Sequence, residues 1–230
     1  QQFSGCNNTY TGTTTISGGV LAVDCLVDGA AASSIGASSA DAASLILNGG
    51  TLRYVGTGHT TDRLFTLGAS ATSAIDASGA GAIVFANTAP IAFGGANTAQ
   101  TVTLTGTSTA DNKLGLQLTD NGTGKTGMSK TGAGTWILTN QGSTYTGVTT
   151  ITGGVLGVDK LADGGLASSL GQSSNLASNL VIGSGATLRY TGAGDTTDRR
   201  FTLGVGTTAI ESSGSGAVVF SNTAGVSYSG

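Results

Sequence analysis

The sequence predicts an all-β chain wound as a right-handed parallel β-helix, a single-stranded β-solenoid, and three observations carry that prediction. Apolar phrases of strand length recur along the chain, separated by Gly- and Asn-rich corners. Of 230 residues 9% are charged, 40 are Gly and 1 is Pro. A long internal repeat carries one set of phrases into a second copy.

Composition sets the class. An ordinary domain has roughly 25% charged residues and about 7% Gly, so the chain is far from average. Disorder would also need few aliphatic residues and a high net charge, whereas the hydrophobic fraction is 38% and the net charge is -3. The chain is therefore expected to fold, with enough length for a continuous core. So few charges exclude helices with solvated Glu/Lys faces, while Thr, Ser and Asn can decorate the wet side of strands. Nine Lys plus Arg, none in a run, leave no footprint for nucleic acid and no basic membrane-surface helix. No stretch approaches the ~18 apolar residues of a membrane span, so no direct membrane insertion by this segment is expected. The start, QQFSGCNNTY, has neither an initiating Met nor a charged region followed by an apolar one, and the chain is expected to be an excised or processed piece.

In chain order the strand-sized phrases are TTTI (13–16), VLAV (20–23), LIL (45–47), TLRY (51–54), LFTL (64–67), AIVF (82–85), IAF (91–93), TVTLT (101–105), LGLQL (114–118) and TWIL (135–138). Between them lie GG, NGG, SGAG, TGAG and DNG, residues that tolerate positive φ at tight corners. Alternation in Thr101–Thr105 puts Val102 and Leu104 on one face and the threonines on the other. Residues 26–44 and 161–179 are Ala- and Ser-rich, and fit either a short helix or a loop leaving the coil.

Tyr10 maps onto Tyr145, Ile16 onto Ile151 and Val23 onto Val158, all at an offset of 135. The match continues from NGGTLRYVGTGHTTDRLFTLG (48–68) to GSGATLRYTGAGDTTDRRFTLG (183–204), where one inserted residue makes the offset 136. Residues 1–230 are thus expected to form one continuous β-helical segment with copies at 10–144 and 145–230, the second incomplete, and further repeats on either side. A coil of roughly 20 residues cannot bury its own inner face, so neighbours stack at about 4.8 Å. At that size the chain would hold about 11 coils over roughly 50 Å, with Thr, Ser and Asn meeting their like in ladders.

The phrase KTGAGTWILTNQGSTYTGVTTITGGVLGV (130–158), echoed by NNTYTGTTTISGGVLAV (7–23), resembles the passenger-associated repeat of bacterial autotransporters. That repeat has a Lys-Thr-Gly-x-Gly-Thr strand, an Asn-Thr-Tyr-Thr-Gly corner and a Gly-Gly-x-Leu strand. The TTDRLFTLG and TTDRRFTLG phrases are similar to segments of large, repetitive autotransporters. The resemblance implies type V secretion, display on the bacterial cell surface, and a parent anchored by a C-terminal outer-membrane barrel. It also implies that the repeat serves folding and transport, with adhesion or enzymatic work often residing elsewhere.

Cys6 and Cys25 both fall in the first copy, where the second has Gln141 and Lys160. Their spacing of 19 is close to one coil, which fits a structural disulfide in an oxidising compartment or two unrelated thiols. A metal or catalytic role is set aside because no His or third Cys accompanies them. GTGKTG (122–127) lacks the first Gly of a phosphate loop, since residue 119 is Thr, and reads as a turn. In the two TTDR phrases Asp62–Arg63 and Asp198–Arg199 read as Asp-capped turns whose Arg packs or pairs locally; Arg53 and Arg189 read the same way, with Tyr54 and Tyr190 covering a corner. The single His, His59, is replaced by Asp195 in the second copy and reads as an exposed loop residue. Trp136, Phe65, Phe85, Phe93, Phe201 and Phe220 read as core.

No catalytic residue, cofactor or metal is expected. The functional expectation is a structural and adhesive stalk, partnered by a host-cell or matrix ligand or by itself, and not an enzyme. A β-helical carbohydrate-active enzyme or tailspike would need paired carboxylates on neighbouring coils. An ice-binding solenoid would need flat, regular threonine ranks.

Overall fold

The computed structural model describes residues 1–70 and 72–229. Among these residues 23 short strands and two 3-10 turns are present and no α-helix. Every ladder between the strands is parallel. The chain visits three faces in rotation: Thr66–Leu67 lies in a four-stranded sheet, Thr72–Ala77 in a ten-stranded sheet and Ile83–Phe85 in a seven-stranded sheet, before Ala92–Phe93 returns to the first. Parallel strands that meet again only after a full circuit make a parallel β-helix.

Pleat alternation builds the core. Along Gln100–Thr105 residues alternate between buried and half-buried, with Val102 and Leu104 inward as the pattern predicts. Inward residues stack from coil to coil, as in the run Ile16, Leu47, Leu67, Phe93. Trp136, Phe65 and Phe85 are fully buried, and Phe93, Phe201 and Phe220 pack against the same core. The outward rank Ala74, Thr103, Ser129, Thr150, Val181, Thr202 is a hydroxyl ladder for three successive coils and is then broken by Val181.

Coils are longer and less even than the spacing of the strand phrases predicts. Thr135 pairs with Val155, whereas Gly154 pairs with Ala186, so the second of these circuits is more than half as long again as the first. The longest circuits hold the Ala/Ser segments, which leave the coil as irregular loops closed by the 3-10 turns Ala42–Ser44 and Ala177–Asn179. Ten ranks, not about eleven, fill the longest sheet, a rise of about 43 Å at ~4.8 Å each. The phrase LGLQL is also shifted: the strand is Asn112–Leu114, and Leu116 and Leu118 are buried beyond it at a corner.

The two copies do not sit one above the other. Thr14–Ile16 belongs to the four-stranded sheet and its counterpart Thr149–Ile151 to the ten-stranded sheet. Likewise Thr51–Tyr54 lies in the ten-stranded sheet and Ala186–Tyr190 in the seven-stranded one. The repeat offset is a whole number of coils plus one face, so each phrase reappears a third of a turn round the axis.

Candidate functional site

Of the residues that sequence reasoning singled out, Cys6, Cys25, Tyr54 and His59 converge on one corner, and the counterparts of these four form it a second time. Tyr54 and Tyr190 end their strands pointing inward and are almost wholly buried. A buried phenol needs partners. Tyr54 Oη accepts Gly58 N–H at 2.8 Å and lies 2.7 Å from His59 Nδ1. Tyr190 Oη accepts Gly194 N–H and donates to Asp195 Oδ2, both at 2.9 Å. Burial pushes both phenols above their usual pKa. Gly56 is required by space: a Cβ there would lie 2.1 Å from the Asp24 carbonyl and 2.4 Å from Tyr54 Oη, and Gly192 stands in the same position against Asp159 and Tyr190.

Around this shared frame the closing chemistry differs. In the first copy Cys6 and Cys25 are joined by a disulfide, with Cα atoms 5.4 Å apart. Asp24 Oδ1 accepts Gly5 N–H at 2.7 Å and Ser34 Oγ–H at 3.1 Å. In the second copy Lys160 pairs with Asp195, which also accepts Leu161 N–H at 2.9 Å. Burial pushes the Asp195 carboxyl up, but the hydrogen bonds from Lys160, Leu161 and Tyr190 outweigh it and hold the group below the usual carboxylate range. Each corner opens onto a surface depression, of about 360 Å³ in the first copy and about 150 Å³ in the second.

His59 differs from its sequence reading. It is half-buried at the head of the strand His59–Thr61, with its ring edge-on to Tyr54, and it lies beside both cysteines. No local signal marks that neighbourhood, because the coil between Cys25 and His59 takes in the long Ala/Ser loop, whose path no short phrase records.

Below the corner, Arg63 and Arg199 hold the Ala/Ser loops. Arg63 is 1% exposed, and its guanidinium donates to the Val27, Ser38 and Gly36 carbonyls at 3.0, 3.1 and 3.0 Å and to Ser38 Oγ at 3.0 Å. Arg199 repeats the pattern on Ala162, Gly171 and Ser173. Burial pushes both guanidinium groups below their usual pKa, and the carbonyl cage compensates the desolvated charge. The Asp of each TTDR caps the same loop: Asp62 Oδ1 accepts Gly29 N–H at 2.7 Å while Asp28 Oδ1 accepts Asp62 N–H at 2.8 Å. Arg53 and Arg189 pair across the ladder with Asp76 and Glu211 at 2.7 and 3.1 Å.

The phrase 130–158 works by the same device. Lys130 Nζ is buried and donates to the Thr131, Gly132 and Gly153 carbonyls at 2.8, 3.0 and 2.9 Å. Burial lowers its pKa to about 8. Trp136 Nε1 donates to the Thr105 carbonyl at 2.8 Å, and Tyr145 Oη lies 2.8 Å from Thr149 Oγ1. The GTGKTG segment is a turn about Asn121 and Gly124 that runs into the strand Thr126–Lys130, with no helix behind it.

A parallel β-helix whose corners are closed on its own backbone carbonyls, with one corner design used in two copies, is a repetitive β-solenoid. Residues 1–23 and 128–158 match the Passenger-associated-transport-repeat family. Over 223 residues the chain is 62% identical to the Adhesin BmaC autotransporter of Brucella suis biovar 1 (strain 1330), a match that takes in 97% of this chain and 6% of that relative. The chain thus carries the passenger-associated repeat and is similar to an autotransporter along nearly its whole length. It spans a small fraction of the length of the curated relative it matches. No solved structure matches it. No helix among the described residues is long and apolar enough to cross a membrane.

Proposed function

We propose that this chain is a continuous segment of a surface-displayed passenger, serving as shaft and as a repeated adhesive surface, and that it does no catalysis. The observation that carries the reading is where its ionisable side chains go. Arg63, Arg199 and Lys130 end on backbone carbonyls, and Asp76, Asp195 and Glu211 are paired within the fold. Side chains committed to holding coils together support a mechanical role over a reactive one. Repetition supports adhesion, since weak contacts on many coils add through multivalency. The parent is taken to be anchored in the outer membrane by a barrel outside this segment, with a host-cell or matrix ligand, or a second copy, as partner.

The experiment compares the purified chain with cells carrying the parent, and with cells whose parent lacks this segment, on arrays of matrix proteins and glycans. Binding by the purified chain supports an adhesive surface here. Binding by cells with the intact parent, undiminished when the segment is removed, rejects adhesion for this segment. Release of reducing sugar from a capsular polysaccharide or pectin would reject the non-catalytic reading.

A further inference from the structure

The first corner gathers three side chains that could hold a cation. Cys6 Sγ, Cys25 Sγ and a ring nitrogen of His59 all lie within 4.8 Å of one another. Two thiolates and an imidazole are a ligand set for zinc and similar borderline cations, with bonds of about 2.3 Å to sulfur and about 2.0–2.1 Å to nitrogen. Bringing the three ligands onto one ion therefore needs only small side-chain movements. Cys6 is exposed and lies on a corner with room to move, whereas Cys25 and His59 are fixed: their N–H groups donate to Ser34 Oγ at 3.1 Å and to the Ala82 carbonyl at 3.0 Å.

We propose that this corner is a thiol-gated cation site: closed as a disulfide in the oxidised chain, and a Cys6–Cys25–His59 site for a zinc-like divalent cation once the bond is reduced. Two equivalents of a small thiol open it. One thiolate attacks a disulfide sulfur, the second resolves the mixed disulfide, and the net products are two cysteine thiols and one small-molecule disulfide. The cation then displaces the two thiol protons. With the cation on Nε2, His59 Nδ1 keeps its proton and turns it to Tyr54 Oη, 2.7 Å away, an outer hydrogen bond that fixes the ring as ligating histidines require. Gly58 N–H holds Tyr54 Oη from the other side at 2.8 Å. The fourth position opens on the depression bordered by Asp24, Gly56 and Thr57 and takes water.

The second copy shows what the same corner does without these ligands. Gln141, Lys160 and Asp195 replace Cys6, Cys25 and His59, and the Lys160 ammonium sits in the equivalent depression paired with Asp195. One copy thus carries a built-in positive charge at this corner, and the other carries ligands for an added one.

The test uses the whole chain, reduced under anaerobic conditions with dithiothreitol, freed of it, and titrated with Co²⁺ as probe and then with Zn²⁺. The expected result is one Co²⁺ per chain with a thiolate-to-cobalt charge-transfer band and tetrahedral ligand-field absorption, displaced by Zn²⁺ and absent from the oxidised chain. Tyr54→Phe weakens binding by about 10–100-fold, the usual effect of losing an outer hydrogen bond, and His59→Ala by at least as much. Circular dichroism follows the fold of each variant. The proposal is overturned if the reduced chain binds no cobalt, if the band is unchanged in a folded His59→Ala variant, or if reduction unfolds the wild-type chain.

Discussion

At Tyr54 and at Tyr190 the chain turns the same corner with two different fastenings. The features common to both are those that satisfy backbone: the buried Tyr with its Gly N–H donor, the Gly with no room for a Cβ, the Asp cap and the caged Arg. The features that differ, Cys6 and Cys25 against Gln141 and Lys160 and His59 against Asp195, all border the surface depression. Unpaired carbonyls and backbone collisions tolerate no substitute, so the frame is fixed. The link across the mouth has only to bridge two coils, which the Cys6–Cys25 bond does covalently and the Lys160–Asp195 pair does more weakly by charge. Since the copies lie a third of a turn apart, the two mouths also face different directions around the shaft.

The shared frame gives the largest expected effect, and it should be equal in both copies. Arg63→Met or Arg199→Met leaves several buried carbonyls without a donor and should cost about 3–5 kcal/mol, the range for removing one member of a buried charged network. Hydrogen exchange should localise the loss to residues 26–44 in one variant and 161–179 in the other. A loss in one copy only would mean that the cages are not equivalent.

The fastenings should separate the copies. Reducing the Cys6–Cys25 bond frees a loop of 19 residues in the unfolded chain and should cost about 3 kcal/mol, confined to the first coils. Amides near Tyr190 should keep their protection under the same conditions, because a solenoid transmits stability chiefly to nearest neighbours. The exchange variant Cys6→Gln, Cys25→Lys, His59→Asp imports the second copy's ion pair. It should be more stable than Cys6→Gln, Cys25→Lys alone in urea unfolding, since the other carboxylate at that mouth, Asp24, is already engaged by Gly5 N–H and Ser34 Oγ–H.

How far the sequence carried these conclusions depends on what signalled each element. VLAV, LIL, TLRY and TWIL became strands at the expected residues, because two or more aliphatic or aromatic side chains mark each of them. His59–Thr61, Thr72–Ala77 and Thr126–Lys130 carry no such mark, since their sequences HTT, TSAIDA and TGMSK are polar or mixed and owe their strand form to neighbours on adjacent coils. Lys130 is the sharpest case. It stands in an inward stack between Leu104 and Ile151, where a cation is tolerated only because three carbonyls meet it. The local turn at TTDR could be read from Asp and Arg, but the distant carbonyls that Arg63 reaches depend on the path of the loop. The meeting of His59 with Cys25 depends on coil length, which changes by more than half between successive circuits and is written in no single phrase.

The smallest effect distinguishes the fastenings by acid. Asp195 is held below the ordinary carboxylate value of 3.8, so the unfolded chain takes up its proton first as pH falls. Its contribution is therefore complete above that value and is lost as pH drops through the lower folded value. Lys160 is 41% exposed, and solvent screening keeps the pair's share under about 1 kcal/mol. Protection of the Leu161 and Gly194 amides, which rests on Asp195 directly and through Tyr190, should decline below pH 4 in the wild type. In Asp195→Asn, the decline at those amides should flatten and their protection at neutral pH should start lower. The disulfide at the first mouth has no proton to gain, so Asp195→Asn should leave the acid response of the Gly58 amide unchanged. A parallel change at Gly58 would mean that the two corners are coupled through the intervening coils and do not act as independent fastenings.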